Sequence, residues 1–177
     1  MTAIAQINRP ARRRPWLQPV FLGLGVLILV PAALALAATL ALGRPLPWQF
    51  SRPVVSPHVI MALAMLGLGI AQLAAPKGDR RHRLLGYAWC VLFAAVCLSG
   101  LFVQLQPGRV TLIHMISSGF AVGNLLLLPV IIYAARTGRR RLHRNAVLVA
   151  FWFMIQAGAL TYIPTRTLGA LVSGFFH

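Results

Sequence analysis

Long apolar runs, each cut off by prolines, glycines or clustered arginines, set the pattern of the chain. The first runs from Leu17 to Leu42 with Pro31 inside it, the second from Pro57 to Ala75 and the third from Leu84 to Leu105. The fourth runs from Val110 to Ala135 with Pro129 near its end, and the fifth from Leu142 or His143 to Ile163. Each is near the ~20 residues that an α-helix needs to cross hydrocarbon. Internal proline is tolerated in such helices because neighbours satisfy the freed carbonyl, and Pro57 suits a first helical turn. The connections, at residues 43–56, 76–83, 106–109 and 136–141, are short and rich in helix breakers. The pattern predicts an all-α integral membrane protein with five transmembrane helices. A basic arm occupies 1–16, a first, accessory span 17–42, a four-helix core bundle 57–163 and a short tail 164–177. The first span is expected to be retained, because its apolar stretch outruns the roughly 7–15 residues of a signal-peptide core.

Composition agrees with this reading and closes off others. Hydrophobic residues make up 59% of the 177 and charged residues only 10%, against roughly 25% charged in a soluble globular domain. Disorder needs low hydrophobicity and is excluded. The net charge is +16, which would suit a nucleic-acid binder, but the apolar excess would not. Cys90 and Cys97 share one apolar run, and helical spacing sets them too far apart for a disulfide; they read as buried thiols.

The basic residues give the charge a topological meaning. Arg9, Arg12, Arg13 and Arg14 lie in the arm, Lys77, Arg80, Arg81 and Arg83 in the second connection, and Arg136, Arg139, Arg140, Arg141 and Arg144 around the fourth. These thirteen of the 17 basic residues fall on one side, and only Arg44, Arg52, Arg109 and Arg166 on the other. The positive-inside bias places the N-terminus and the second and fourth connections in the cytoplasm and the C-terminal tail on the opposite face. The expected site is a membrane that bounds the cytoplasm, with anionic lipids as contacts at the cytoplasmic face and no nucleic-acid partner.

Four histidines stand near the starts of the second to fifth spans: His58, His82, His114 and His143. Because successive spans reverse direction, His58 and His114 fall towards the non-cytoplasmic face and His82 and His143 towards the cytoplasm. Histidine pairs from facing helices suit axial ligation of haem iron in a bundle. At ~100° per residue, small, soft or polarizable residues follow each histidine on its own face. Gly86, Cys97 and Gly100 follow His82, Met61, Met65 and Gly69 follow His58, Ser118 and Ala121 follow His114, and Ala150, Met154 and Ala157 follow His143. Such faces leave room for a flat macrocycle, and they also suit plain helix packing. Arg81 and Arg83 flank His82 and Arg144 follows His143; these arginines are placed to hold haem propionates or anionic lipid. His177 receives no role. Asp79, the only acid, belongs to a connection, which weakens a proton- or cation-coupled transporter, since those rely on intramembrane carboxylates. Ser117, Ser118, Asn124 and Gln156 read as interhelical hydrogen-bonding groups.

Several phrases resemble a family of uncharacterised bacterial integral membrane proteins. They are Gln72 to Gly78, His82 to Trp89, Ile113-His114-Met115 with Ser117, Ala134 to Gly138, His143-Arg144, and Ala157-Gly158 with Thr161. The resemblance covers about residues 57–169 and implies four core helices to which the first is an addition. Where that family often has Pro-Gly-Arg, this chain has Pro164-Thr165-Arg166. The layout of one histidine per core helix is also distantly similar to the transmembrane ascorbate-dependent diheme cytochromes b.

Together these features lead to the expectation of a transmembrane electron-transfer protein binding two b-type haems, His58 with His114 and His82 with His143. Its partner would be a quinol or another membrane redox complex. A haem-free structural or assembly subunit of a larger complex, and a haem-handling factor for oxidase assembly, are the alternatives.

Overall fold

The computed structural model describes residues 17–104, 112–163 and 166–176. The basic arm, the 106–109 connection, Pro164-Thr165 and His177 lie outside the described residues. Among the described residues the chain is all-helical. Six α-helices follow one another there: α1 (Leu17–Ala41), α2 (Val55–Ala74), α3 (Arg80–Gln104), α4 (Leu112–Arg136), α5 (Arg140–Leu160) and α6 (Thr167–Phe176). A 3-10 turn at Trp48–Ser51 precedes α2.

Helices α1 to α4 are long and apolar enough to cross a membrane. They expose Leu27, Leu34, Leu84, Val91, Phe102 and Leu126, a load of outward apolar surface that suits hydrocarbon and not water. The chain is a multi-pass helical membrane protein. The fifth expected span is less complete. Helix α5 has 21 residues, but Arg140, Arg141 and Arg144 sit at its start. The apolar part that remains is shorter than the ~20 residues of a full crossing.

Local chemistry closes the turns. Asp79 accepts a hydrogen bond from the backbone N–H of His82 at 2.7 Å, so the single acid of the chain caps the start of α3. Lys77 turns back on the end of α2, its ammonium donating to the carbonyls of Gln72, Leu73 and Ala75 at 2.6, 2.7 and 2.6 Å. A cation there satisfies orphan carbonyls and meets the negative end of the helix dipole. Between α4 and α5, Gly138 adopts φ 69°. The Arg139 N–H reaches Ala134 O and the Gly138 N–H reaches Ala135 O, the 6→1 and 5→2 bonds of a glycine-ended helix.

Packing runs in chain order: α2 on α3, α3 on α4 and α4 on α5, with α1 against α2, α5 and α6. Phe93 and Phe151 are the largest fully buried side chains, and Trp89 stacks on Phe93 with centroids 4.6 Å apart. Gly69 of α2 makes this possible. A Cβ there would lie 2.8 Å from the Phe151 ring and 2.9 Å from the Trp89 indole nitrogen.

Residues 167–176, read from the sequence only as tail, form α6 and fold back on α1. Leu168 and Leu171 bury against Ala32 and Ala35. At the α5–α6 corner the Gly169 N–H donates to Thr161 O at 2.9 Å, and a Cβ on Gly169 would collide with the backbone carbonyls of Tyr162 and Ile163. The Tyr162 hydroxyl donates to Ile28 O beside Pro31. That proline supplies no N–H to the α1 ladder, and near it the phenol ties the α5–α6 corner to α1.

Candidate functional site

The α2–α3 packing places His58 against Ser99, with Nδ1 and Oγ 2.9 Å apart. The Ser99 hydroxyl also donates to Ala95 O at 2.7 Å, a common back-bond for serine inside a helix. A hydroxyl has one proton. With that proton given to the carbonyl, Ser99 accepts from His58, so Nδ1 carries the hydrogen and Nε2 keeps its lone pair. This is the ring state that binds a metal ion, with the other nitrogen anchored by a neighbour. Gly100 gives the imidazole its room; a Cβ there would lie 3.3 Å from the His58 ring.

His58 and His114 line one cavity of about 750 Å³, within the roughly 300–1,000 Å³ of small-molecule sites. Its apolar wall includes Met65, Phe93, Cys97, Phe120 and Met154. Its polar groups include Gln49, Ser117, Asn124 and Thr161, with the guanidiniums of Arg52 and Arg166. Among the described residues no Asp or Glu lines it. Asn124 is only 4% exposed, and its Oδ1 is buried with no hydrogen bond. A buried orphan acceptor costs free energy unless something in the cavity donates to it. Arg166 donates from Nη1 to Ser117 Oγ at 3.3 Å, joining the α5–α6 corner to α4. Burial pushes its guanidinium down from the usual range, because desolvation works against the charged form. Arg52 lies over the Trp48 ring, 5.0 Å from its centroid.

The first turns of three helices also reach this cavity. Val55 opens α2, Ile113 is the second residue of α4, Thr167 opens α6, and all three line it. Helix N-termini carry the positive end of the dipole. No side chain caps the start of α2.

The second expected pair is arranged differently. His143 Nδ1 lies 3.1 Å from Ile131 O on α4. A carbonyl only accepts, so Nδ1 is again the protonated nitrogen and Nε2 keeps its lone pair. His82 Nδ1 is buried without a hydrogen bond, and its backbone carbonyl accepts from Gln72 Nε2 at 3.0 Å. Gln72 Oε1 and the Trp89 indole N–H are also buried without partners. Neither His82 nor His143 lines the cavity of His58 and His114. Arg81, Arg83 and Arg144 are exposed, and Arg83 donates to Gly78 O at 3.5 Å.

The structure thus gathers His58 and His114 at one cavity with Arg52, Arg166 and Asn124 and sets Ser99 on the His58 ring; reasoning from sequence took Asn124 only as an interhelical hydrogen-bonding group and did not select Arg52, Arg166 or Ser99. One signal was present for the arginines. Arg52 and Arg166 belong to the minority of basic residues that the positive-inside bias leaves unexplained. Among the described residues no group of three or more His, Cys, Asp or Glu is arranged to hold a metal ion; an axial histidine pair is not such a group. Comparison of the chain with family models, curated proteins and solved structures finds no match.

Proposed function

We propose that this chain is a transmembrane electron-transfer protein of the bacterial inner membrane. In this reading it ligates b-type haem through His58 and His114 in the α2–α4 cavity and through His82 and His143 at the other end. Helices α2 to α5 act as the core bundle, α5 completes the fifth crossing, and the N-terminus faces the cytoplasm. The observation that carries the reading is the convergence of His58 and His114 on one cavity with an apolar wall, which Arg52 and Arg166 also line. The residues fit the group. His58 has its Nδ1 proton fixed by Ser99, leaving Nε2 as donor to iron. Phe93, Phe120, Met65 and Met154 supply a water-poor wall, and the buried Asn124 Oδ1 adds a polar point in it.

Haem, when bound, supplies one-electron redox chemistry. His58, His114, His82 and His143 would hold the group through their ring nitrogens, and the apolar wall of Phe93, Phe120, Met65 and Met154 would keep water from it at the first site. His143, with its proton fixed by Ile131, plays at the α5 end the part that His58 plays at the α2 end. Protein purified in mild detergent and reconstituted with haem should give a reduced-minus-oxidised spectrum of six-coordinate low-spin haem, and a pyridine haemochrome assay should approach two haems per chain. His114→Ala should remove one and His143→Ala the other. Protein that stays colourless after reconstitution overturns the reading.

A further inference from the structure

Away from the cavity, the seam between α2 and α3 buries three polar atoms without a hydrogen-bond partner among the described residues: Gln72 Oε1, the Trp89 indole N–H and His82 Nδ1. They belong to one patch. Gly69 and Gln72 stand one turn apart on α2, and His82, Gly86 and Trp89 follow one another along a single face of α3. A Cβ on Gly69 would lie 2.9 Å from the Trp89 nitrogen, and one on Gly86 would lie 3.6 Å from Gln72 Nε2. The Gln72 amide has a fixed sense. Its Nε2 donates to His82 O at 3.0 Å; a carbonyl only accepts, so Oε1 is left as an acceptor. An indole nitrogen only donates. Trp89 is 5% exposed and stacked on Phe93, which holds its N–H inside the seam.

We propose that this seam is a water-binding site with Gln72 as its hub. The occupant must donate to Gln72 Oε1 and accept from the Trp89 N–H, and a hydroxyl does both. Among hydroxyl compounds water is the one the space admits, because a single methyl on Gly69 already meets the Phe151 and Trp89 rings and no organic body fits beside it. Gln72 Oε1 has two lone pairs, so it also takes a water that reaches His82 Nδ1, and water serves either tautomer of that ring. Left dry, the three atoms would each carry the cost of a buried unsatisfied group, and lipid around the helices offers nothing to relieve it. Buried waters typically make about three hydrogen bonds to groups of this kind. The site stands independently of the haem reading. Where His82 is a ligand to iron, the water gives its ring the partner that Ser99 gives His58 and the Ile131 carbonyl gives His143.

Nuclear magnetic resonance of the full chain in deuterated detergent tests the site. Replacing Trp16, Trp48 and Trp152 by Phe leaves Trp89 as the only indole of the chain and leaves the seam untouched. With nitrogen-15 in that indole, its Hε1 should show a rotating-frame cross-peak to the water resonance, of sign opposite to the diagonal, as a closely held water gives. No cross-peak, or one with the sign of the diagonal, which reports proton exchange alone, overturns the proposal. A strongly downfield Hε1 without a water cross-peak means that Trp89 bonds Gln72 directly, and overturns it too. Gln72→Met keeps the bulk of the side chain and removes the acceptor, so the cross-peak should vanish. An unchanged cross-peak in that variant overturns the role of Gln72 as hub. The measurement with native Gln72 decides the matter even where Gln72→Met fails to fold.

Discussion

Ser99 Oγ stands 2.9 Å from His58 Nδ1 and donates its own proton to Ala95 O, so one serine decides which nitrogen of the histidine is basic. Ser99→Ala should leave the ring without its anchor and mix the tautomers. Loss of such an orienting partner reduces metal affinity about 10–100-fold, while the fold loses only about 1 kcal/mol from the missing hydrogen bond. A haemin titration with a thermal melt in the same detergent separates the two effects. An unchanged affinity would show that Ser99 does not set the ring.

Gly69 tests the packing independently of any ligand. A methyl there meets Phe151 at 2.8 Å and the Trp89 nitrogen at 2.9 Å, and both rings are held in a filled core. Gly69→Ala should destabilise by about 1–3 kcal/mol, as overpacking does. Gly23, where an added Cβ would meet nothing within 4 Å, is the control. Gly23→Ala should be neutral or stabilising by up to about 1 kcal/mol through helix propensity. Midpoints of unfolding read from intrinsic fluorescence decide between them.

Asp79 offers a separation of capping from charge. Asp79→Ala removes the acceptor for the His82 N–H and should cost about 0.5–2 kcal/mol. Asp79→Asn removes the only side-chain negative charge of the chain and keeps the cap, so it should stay near wild type. If both variants fall equally, the carboxylate acts through its charge and not through the cap.

Orientation is open to reporter fusions. Fusions after residues 79 and 139 should report the cytoplasm, because the second and fourth connections carry most of the basic residues. Fusions after residues 49 and 107 should report the other side. A cytoplasmic signal at 107 would put His114 with His82 and His143, and would undo both proposed pairings.

Much of the helical layout was legible in the chain, since apolar runs bounded by Gly78, Gly138 and clustered arginines determine helix ends locally. The shortfall of α5 was also written there, in Arg140, Arg141 and Arg144. What stayed hidden depends on contacts between distant residues. Helix α6 has ten residues, too few to be stable alone. It forms because Gly169 lets it dock on the Thr161 carbonyl and because Leu168 and Leu171 find Ala32 and Ala35. The histidines could be sorted to faces by counting spans. The approach of Arg166 to Ser117, 49 positions apart, has no local signature at all.

The two short turns carry a consequence for biogenesis. Lys77 and Asp79 close α2 on α3, and Gly138 closes α4 on α5, each through neighbours in sequence. His58 and His82 ride on the first hairpin, and His114 and His143 on the second. Each proposed ligand therefore bridges the two hairpins, and neither hairpin owns a complete site. In the proposed reading, a molecule held between His58 and His114 would join the two halves, and its binding would stabilise the assembled bundle over the separate hairpins.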